Sequence, residues 1–411
     1  MNLFLIPFRR EYYGCVRTIQ DFVGIDCRLR LNFARFLMVL LLAGALRSPA
    51  QSSLQLPLHT ASYEIVDVAN SQVRLKSVNW YGFDQKEFVP GGLDHAPLAT
   101  IVGLIKSMGF NSVRLPWANE TLEKNPVVVD YAIKANPQFR GKHAMEVMDA
   151  VIDALAKEQI MVILDNHVSR ADWCCKDDDG NGLWYSKEYP ESAWLADWMT
   201  IVRRYRQQPW VVGVDLRNEL RSGATWGGRD KKLDWHAAAE RGGNAVLTVN
   251  PRLLVMVEGP QYSTDFRGVA QLPIALKVPN RAVYSPHAYA FPGGKQPAYA
   301  ELQQAFDERA GFLLHATPAI PLWIGEFGTC QTLTPCESDP QGIWIRGFVR
   351  YVKEHPELGW SYWAMNGTQS SGDSRKYDEP EPYGLLTTDY QHIAAPKLLE
   401  LFHSIGLGPR E

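Results

Sequence analysis

Val211-Val212-Gly213-Val214-Asp215-Leu216-Arg217-Asn218-Glu219-Leu220 is the stretch on which the fold turns. The run from Val211 to Leu216 is apolar but for Asp215, and reads as a buried strand. Arg217, Asn218 and Glu219 follow at once, where that strand meets a loop. The pattern recurs at Ile320-Pro321-Leu322, which leads into Trp323-Ile324-Gly325-Glu326-Phe327-Gly328. A carboxylate at such a point is costly to desolvate unless a site uses it.

Working outward, the chain alternates strand and helix from about residue 60. Val73–Trp80 reads as a strand, Pro97–Met108 as a helix stopped by Gly109, and Asn111–Leu115 as a short strand. Met145, Met148, Ile152 and Leu155 fall at helical spacing before the apolar run Met161–Asp165. Trp194, Trp198, Ile201 and Tyr205 mark the helix before Val211. Beyond it come a helix over Leu233–Thr248, strands at Leu253–Val257 and Ala282–Ser285, and a helix over Ala298–Leu314. The seventh strand runs to Glu326; Gly342–Lys353 is helical, Gly359–Trp363 is the eighth strand, and Pro396–Ser404 closes the chain. This repetition predicts an α/β fold, a (β/α)8 TIM barrel with enlarged βα loops. A doubly wound sheet would need a glycine turn for phosphate after the first strand, and Asn79-Trp80-Tyr81-Gly82 is not one.

Composition narrows the function classes. The 411 residues are 46% hydrophobic and 21% charged, as in a soluble globular protein. A net charge of −3 gives nothing to draw the chain to nucleic acid or anionic lipid. Neither G-x-S-x-G nor H-E-x-x-H occurs, so serine-hydrolase and zinc-hydrolase readings fail. Thirteen tryptophans exceed what is usual; a large core accounts for most, and a few could line a groove.

TIM-barrel active sites lie at the C-terminal ends of the strands. Those ends carry Arg114, Asp165-Asn166-His167, Asn218-Glu219, His287-Ala288-Tyr289, Glu326 and Trp363. One buried arginine or histidine has a structural explanation; six polar strand ends at one mouth indicate a site. Two carboxylates offered from two strands are what glycoside hydrolysis requires. In this set the chain resembles glycoside hydrolase family 5, retaining cellulase-type enzymes on a TIM barrel. The resemblance spans nearly all of residues 65–405. It implies that Glu219 is the acid/base and Glu326 the nucleophile, with Arg114, His167, Asn218, His287, Tyr289 and Trp363 around the substrate. Trp80, at the end of the first strand, joins the substrate-binding candidates. Proximity of Glu326 should raise the pKa of Glu219, and the two carboxyls should lie about 5–5.5 Å apart.

Two features depart from many cellulases of the family. Leu220, not proline, follows the acid/base candidate. The third loop, Trp173 to Trp184, resembles a branch found in plants, fungi and bacteria. In it Asp177, Asp179, Asn181, Gly182 and Glu188 satisfy the spacing of a calcium loop, though no helix precedes them. The alternative is an acidic loop walling the cleft, with Trp173 and Trp184 available to sugars. Two sequons, at Asn119 and Asn366, fall just past strand ends.

Residues 1–50 read as a leader. Phe36–Leu46 is apolar between Arg35 and Arg47, too short to span a bilayer, and Ser48-Pro49-Ala50 suits cleavage after Ala50. The upstream stretch is longer than an ordinary signal peptide has, and a membrane anchor is the alternative. Cys174, Cys175, Cys330 and Cys336 would remain after cleavage, enough for two disulfides or four free thiols. Adjacent cysteines are strained partners, so Cys174 and Cys175 are each expected to bond elsewhere. The expectation is thus a secreted, monomeric retaining β-glycosidase over residues 51–411, needing no cofactor and acting on a polysaccharide or oligosaccharide. It should be an endo-β-1,4-glucanase; an endo-β-mannanase, a β-glucosidase acting on glycosides or glucosylated lipids, and a barrel that binds polysaccharide without cleaving it are the alternatives.

Overall fold

The computed structural model describes residues 54–290, 297–329 and 340–408. Residues 1–50, expected to be a leader, and residues Cys330 and Cys336 lie outside this set. A hairpin of His59–Ala61 with Glu64–Val66 precedes the main sheet. Eight parallel strands follow: β1 Lys76–Asn79, β2 Ser112–Ala118, β3 Met161–Val168, β4 Val211–Asp215 and β5 Leu254–Val257. β6 comes in two pieces, Ala282–Tyr284 and His287–Tyr289, and is followed by β7 Trp323–Gly328 and β8 Gly359–Tyr362. The hydrogen-bonded order starts on the first piece of β6, passes down to β1, continues through β8 and β7, and ends on the second piece of β6. A sheet that begins and ends on the same strand is closed, and the fold is a (β/α)8 barrel.

The outer layer holds α1 Leu98–Ser107, α2 Ala144–Lys157, α3 Glu191–Arg204, α4 Trp235–Val249, α5 Tyr299–Arg309, α6 Pro340–Glu354 and α7 Pro396–His403. The helix α2 shows why such segments form. Ala144, Val147, Met148, Val151, Ile152 and Leu155 make one buried stripe, and Glu146 Oε2 accepts the His143 N–H at 2.9 Å to close the first turn. After β5 the expected repeat is reduced to Pro260–Ser263 and a 3-10 turn at Arg267–Ala270.

Strand alternation sets what faces the barrel axis. Val78, Val113, Leu164 and Val214 join the core cluster shared with the helices. Their neighbours Asn79, Arg114, Asp165 and Asp215 therefore point inward. Register stacks them: Asn79 lies opposite Arg114, Asp165 opposite Asp215, and Glu326 opposite His287. The upper half of the barrel is thus polar. Eight of the thirteen tryptophans are fully buried, so packing accounts for most of that excess. Two of them position the site. Trp194 and Trp198 of α3 donate their indole N–H groups to Leu216 O at 3.2 and 3.1 Å, fixing the chain just before Asn218 and Glu219.

Candidate active site

The site is built around Arg114, which is fully buried. Its guanidinium donates to Glu326 Oε1 at 2.6 Å, Asn218 Oδ1 at 2.9 Å, Glu258 Oε1 at 2.9 Å, Asp215 Oδ2 at 3.0 Å and Asn79 Oδ1 at 3.1 Å. Five acceptors in a fork use all of its donor directions. Burial lowers the pKa of this guanidinium, but Asp165, Asp215, Glu326 and Glu258 raise it well above the usual value, so it stays charged. Glu326 also accepts the Tyr289 hydroxyl on Oε2 at 2.8 Å. Both of its oxygens are thus held by donors.

Glu219 faces Glu326 across His287. Oxygens of the two carboxylates and a ring nitrogen of His287 all lie within 4.8 Å of one another. His287 Nδ1 is 3.1 Å from Glu219 Oε1 and 3.8 Å from Glu326 Oε2. Burial lowers the pKa of His287, yet Glu258, Glu326 and Glu219 raise it well above the ordinary value. Burial pushes the Glu219 carboxyl up, but the hydrogen bond and charge of His287, with His167 and Arg221, hold it below the ordinary value. This corrects the expected rise at Glu219. Between the Glu219 carboxyl, held down, and the His287 imidazole, held up, the proton rests on the imidazole.

The backbone at Glu219 is left-handed, with φ +44°, which non-glycine residues rarely adopt. Its N–H donates to Glu258 Oε2 at 2.7 Å, which holds this conformation. Glu258 is missing from the candidates above, although it follows the apolar run of β5 as Glu219 follows that of β4. It is completely buried, and its Oε1 lies 3.4 Å from His287 Nε2, an ion-pair distance without hydrogen-bond geometry. Burial, with Asp215 adding to it, pushes its carboxyl up to about 8.

His167 Nδ1 sits 2.6 Å from Asp165 Oδ2. Burial lowers its pKa to about 4, so the ring is neutral, and Nε2 lies 3.4 Å from Asn218 Nδ2. Its ring stacks on Trp363 at 5.4 Å. Trp363 also stacks on Tyr81 at 5.2 Å, with 3° between planes, and meets Trp173 edge-on at 6.0 Å. Trp80 is not in this wall. It is fully buried in the helix-side core and its indole donates to Gly91 O at 3.0 Å. Asn79 points inward, so the next residue must point out; Tyr81 backs Trp363 instead. Trp184 is likewise fully buried, its indole donating to Glu191.

The third loop is fastened by two arginines that also escaped sequence reasoning. Arg217 donates to Asn166 Oδ1 and to Asn181 O. Arg221 donates to Lys176 O, Glu219 O and Asp179. The calcium candidates are engaged by protein donors: Asp177 takes the Tyr262 hydroxyl, Asp179 takes Arg221 and the Asn181 N–H, and Asn181 Oδ1 takes the Ser169 N–H. Cys174 and Cys175 form a disulfide with each other, contrary to the expectation that each bonds elsewhere. The loop brings both sulfurs to the same spot beside Asn218, so strain in the pair does not exclude it. Asn119 and Asn366 are fully buried with their carboxamides hydrogen-bonded to Asp197 and to Tyr81 O, which leaves neither accessible to a glycan. A cavity of about 910 Å³ opens beside Glu219, lined among others by Tyr262, His287, Tyr289 and Trp344.

The model of the family described as cellulase (glycosyl hydrolase family 5) matches residues 69–369. An endoglucanase of Paenibacillus polymyxa is 32% identical over 362 residues, covering 82% of this chain and 84% of the relative. The major extracellular endoglucanase of Xanthomonas campestris pv. campestris is 32% identical over 364 residues, covering 82% of this chain and 69% of the relative. The solved catalytic domain of the major endoglucanase of that bacterium superposes with a TM-score of 0.71 at 26% identity, covering 85% of this chain and 99% of that domain. An endocellulase of the archaeon Pyrococcus horikoshii gives 0.73 at 25% identity, covering 86% of this chain and 99% of the other. The chain belongs to glycosyl hydrolase family 5 and is an O-glycosyl hydrolase.

Proposed function

We propose that this protein is a secreted retaining endo-β-1,4-glucanase, with Glu326 as nucleophile and Glu219 as acid/base. The observation that carries the reading is the separation of the two carboxylates, whose facing oxygens lie within 4.8 Å. Retaining enzymes hold their carboxyls about 5–5.5 Å apart, whereas inverting ones leave about 6.5–9.5 Å for a water.

Each step has a residue suited to it. Glu326 attacks the anomeric carbon; Arg114 and Tyr289 hold its two oxygens and aim it. The leaving oxygen takes a proton through Glu219 from His287, whose Nδ1 is 3.1 Å from Glu219 Oε1, and the imidazole is left neutral. Glu219 is then a carboxylate and activates the water that releases the sugar. Asn218 donates to the sugar 2-hydroxyl, a contact that tightens in the transition state. Neutral His167 accepts a hydroxyl of the same sugar, and Trp363 with Tyr81 gives that sugar an apolar floor.

The glucan preference rests on relatives named endoglucanases, and export on the leader-like residues 1–50 and on a relative named extracellular. Purified protein assayed on carboxymethylcellulose, mixed-linkage glucan, mannan, xylan and aryl β-glucosides should cleave the glucans. Hydrolysis of mannan alone would replace the glucanase reading with a mannanase one. Glu326→Ala should lower kcat by at least about 10⁴-fold, since the covalent step is lost. Full activity in that variant would remove the mechanism.

A further inference from the structure

We propose that the Cys174–Cys175 disulfide is a positioning element of the active site, one that seats the Asn218 carboxamide while holding its N–H only weakly, so that substrate can claim it. The inference rests on the function proposed above. Asn218 Oδ1 is fixed from below by Arg114 at 2.9 Å. Its Nδ2 faces Cys174 Sγ at 3.9 Å, Cys175 Sγ at 3.8 Å and His167 Nε2 at 3.4 Å. Cys174 Sγ also lies 3.6 Å from that same His167 nitrogen. Cys174 is buried, and Cys175 is partly exposed.

A disulfide sulfur is a soft, weak acceptor. It fills the space beside Asn218 without binding the amide strongly. A carbonyl or carboxylate in that place would capture Nδ2–H and compete with the sugar 2-hydroxyl. The pair therefore orients the amide through long, weak contacts at 3.8–3.9 Å that a sugar hydroxyl can displace. His167 contributes to the same end, because its one basic nitrogen is 3.4 Å away and shared with the sulfurs.

Opening the disulfide disturbs that seat. A dithiol supplies two electrons to the S–S bond; its own sulfurs close into a cyclic disulfide, and its two protons end on Cys174 and Cys175 as thiols. The sulfurs then move from a bonded separation of about 2 Å to non-bonded contact at roughly 3.5–4 Å. One of them must press on Asn218 or His167.

The test compares an aryl β-cellobioside with its analogue lacking the 2-hydroxyl on the reacting sugar. Treatment of the full chain with dithiothreitol should lower kcat/KM on the first substrate at least about tenfold, one hydrogen bond's contribution. Reoxidation should restore it, and circular dichroism should not change. The analogue should show almost no penalty, a split that a merely structural role would not produce. Cys174→Ala/Cys175→Ala should start low on the first substrate and ignore the dithiol. Wild-type kcat/KM in that double variant overturns the proposal, as does unchanged activity when mass spectrometry finds both cysteines alkylated. A wild-type protein that does not hydrolyse the cellobioside at all would instead count against the glucanase reading.

Discussion

Glu258 shows how much of the site depends on a residue that need not touch substrate. Its two oxygens hold the Glu219 N–H and an Arg114 nitrogen, and it stands 3.4 Å from His287. Glu258→Ala leaves those buried donors unpaired, at a cost of about 1–3 kcal/mol. We expect kcat to fall roughly tenfold to a hundredfold with KM little changed, because the left-handed turn at Glu219 loses its anchor. Steady-state kinetics on a soluble glucan check this; an unchanged kcat would show that the turn holds without Glu258. The residue was legible in principle, as an acid following an apolar strand. It was passed over because its β5 neighbours carry no recognisable motif. Trp80 illustrates the opposite error. One position decides whether a strand residue faces the axis or the helices, and composition alone cannot fix that phase. Sequence reasoning also placed a raised pKa on Glu219 by considering two carboxylates alone. His287, between them, takes the proton instead.

At the scale of elements, the strands and helices were readable because apolar runs and helical spacing are dense in this chain. All eight expected strands and the helices flanking them are present, with ends shifted by a few residues. The reduced β5 connection and the fastening of the third loop were not readable, since both rest on contacts between distant residues such as Arg221 with Asp179 and Lys176. Helix α3 supports the site through its tryptophans. Trp198→Ala removes a fully buried ring and the 3.1 Å bond to Leu216 O. The loss should destabilise the fold by about 3–5 kcal/mol. Chemical denaturation measures it; a change under about 1 kcal/mol would show that the ring is not needed for packing there.

For the whole molecule, the buried charges tie stability to pH with a definite sign. His287 has a folded pKa well above its usual value, so its contribution is fully present below about pH 6.5 and is lost as pH rises through the folded value. Glu258, pushed up to about 8, acts in the same direction: between its ordinary range and pH 8 the folded state binds the proton that the unfolded state has released. Stability should therefore decline from about pH 6.5 to 8. In His287→Gln the decline should be shallower by up to about 1.4 kcal/mol per pH unit. Urea unfolding across that range checks it, and a wild-type stability that rises with pH would refute the assignment of the proton to His287.

The account depends most on Glu219 and Glu326 acting from opposite faces of one glycosidic bond at retaining distance. Proton NMR of the first seconds of cello-oligosaccharide hydrolysis reads this directly. The β-anomer should appear first and then mutarotate, whereas initial release of the α-anomer would mean inversion and contradict the double displacement.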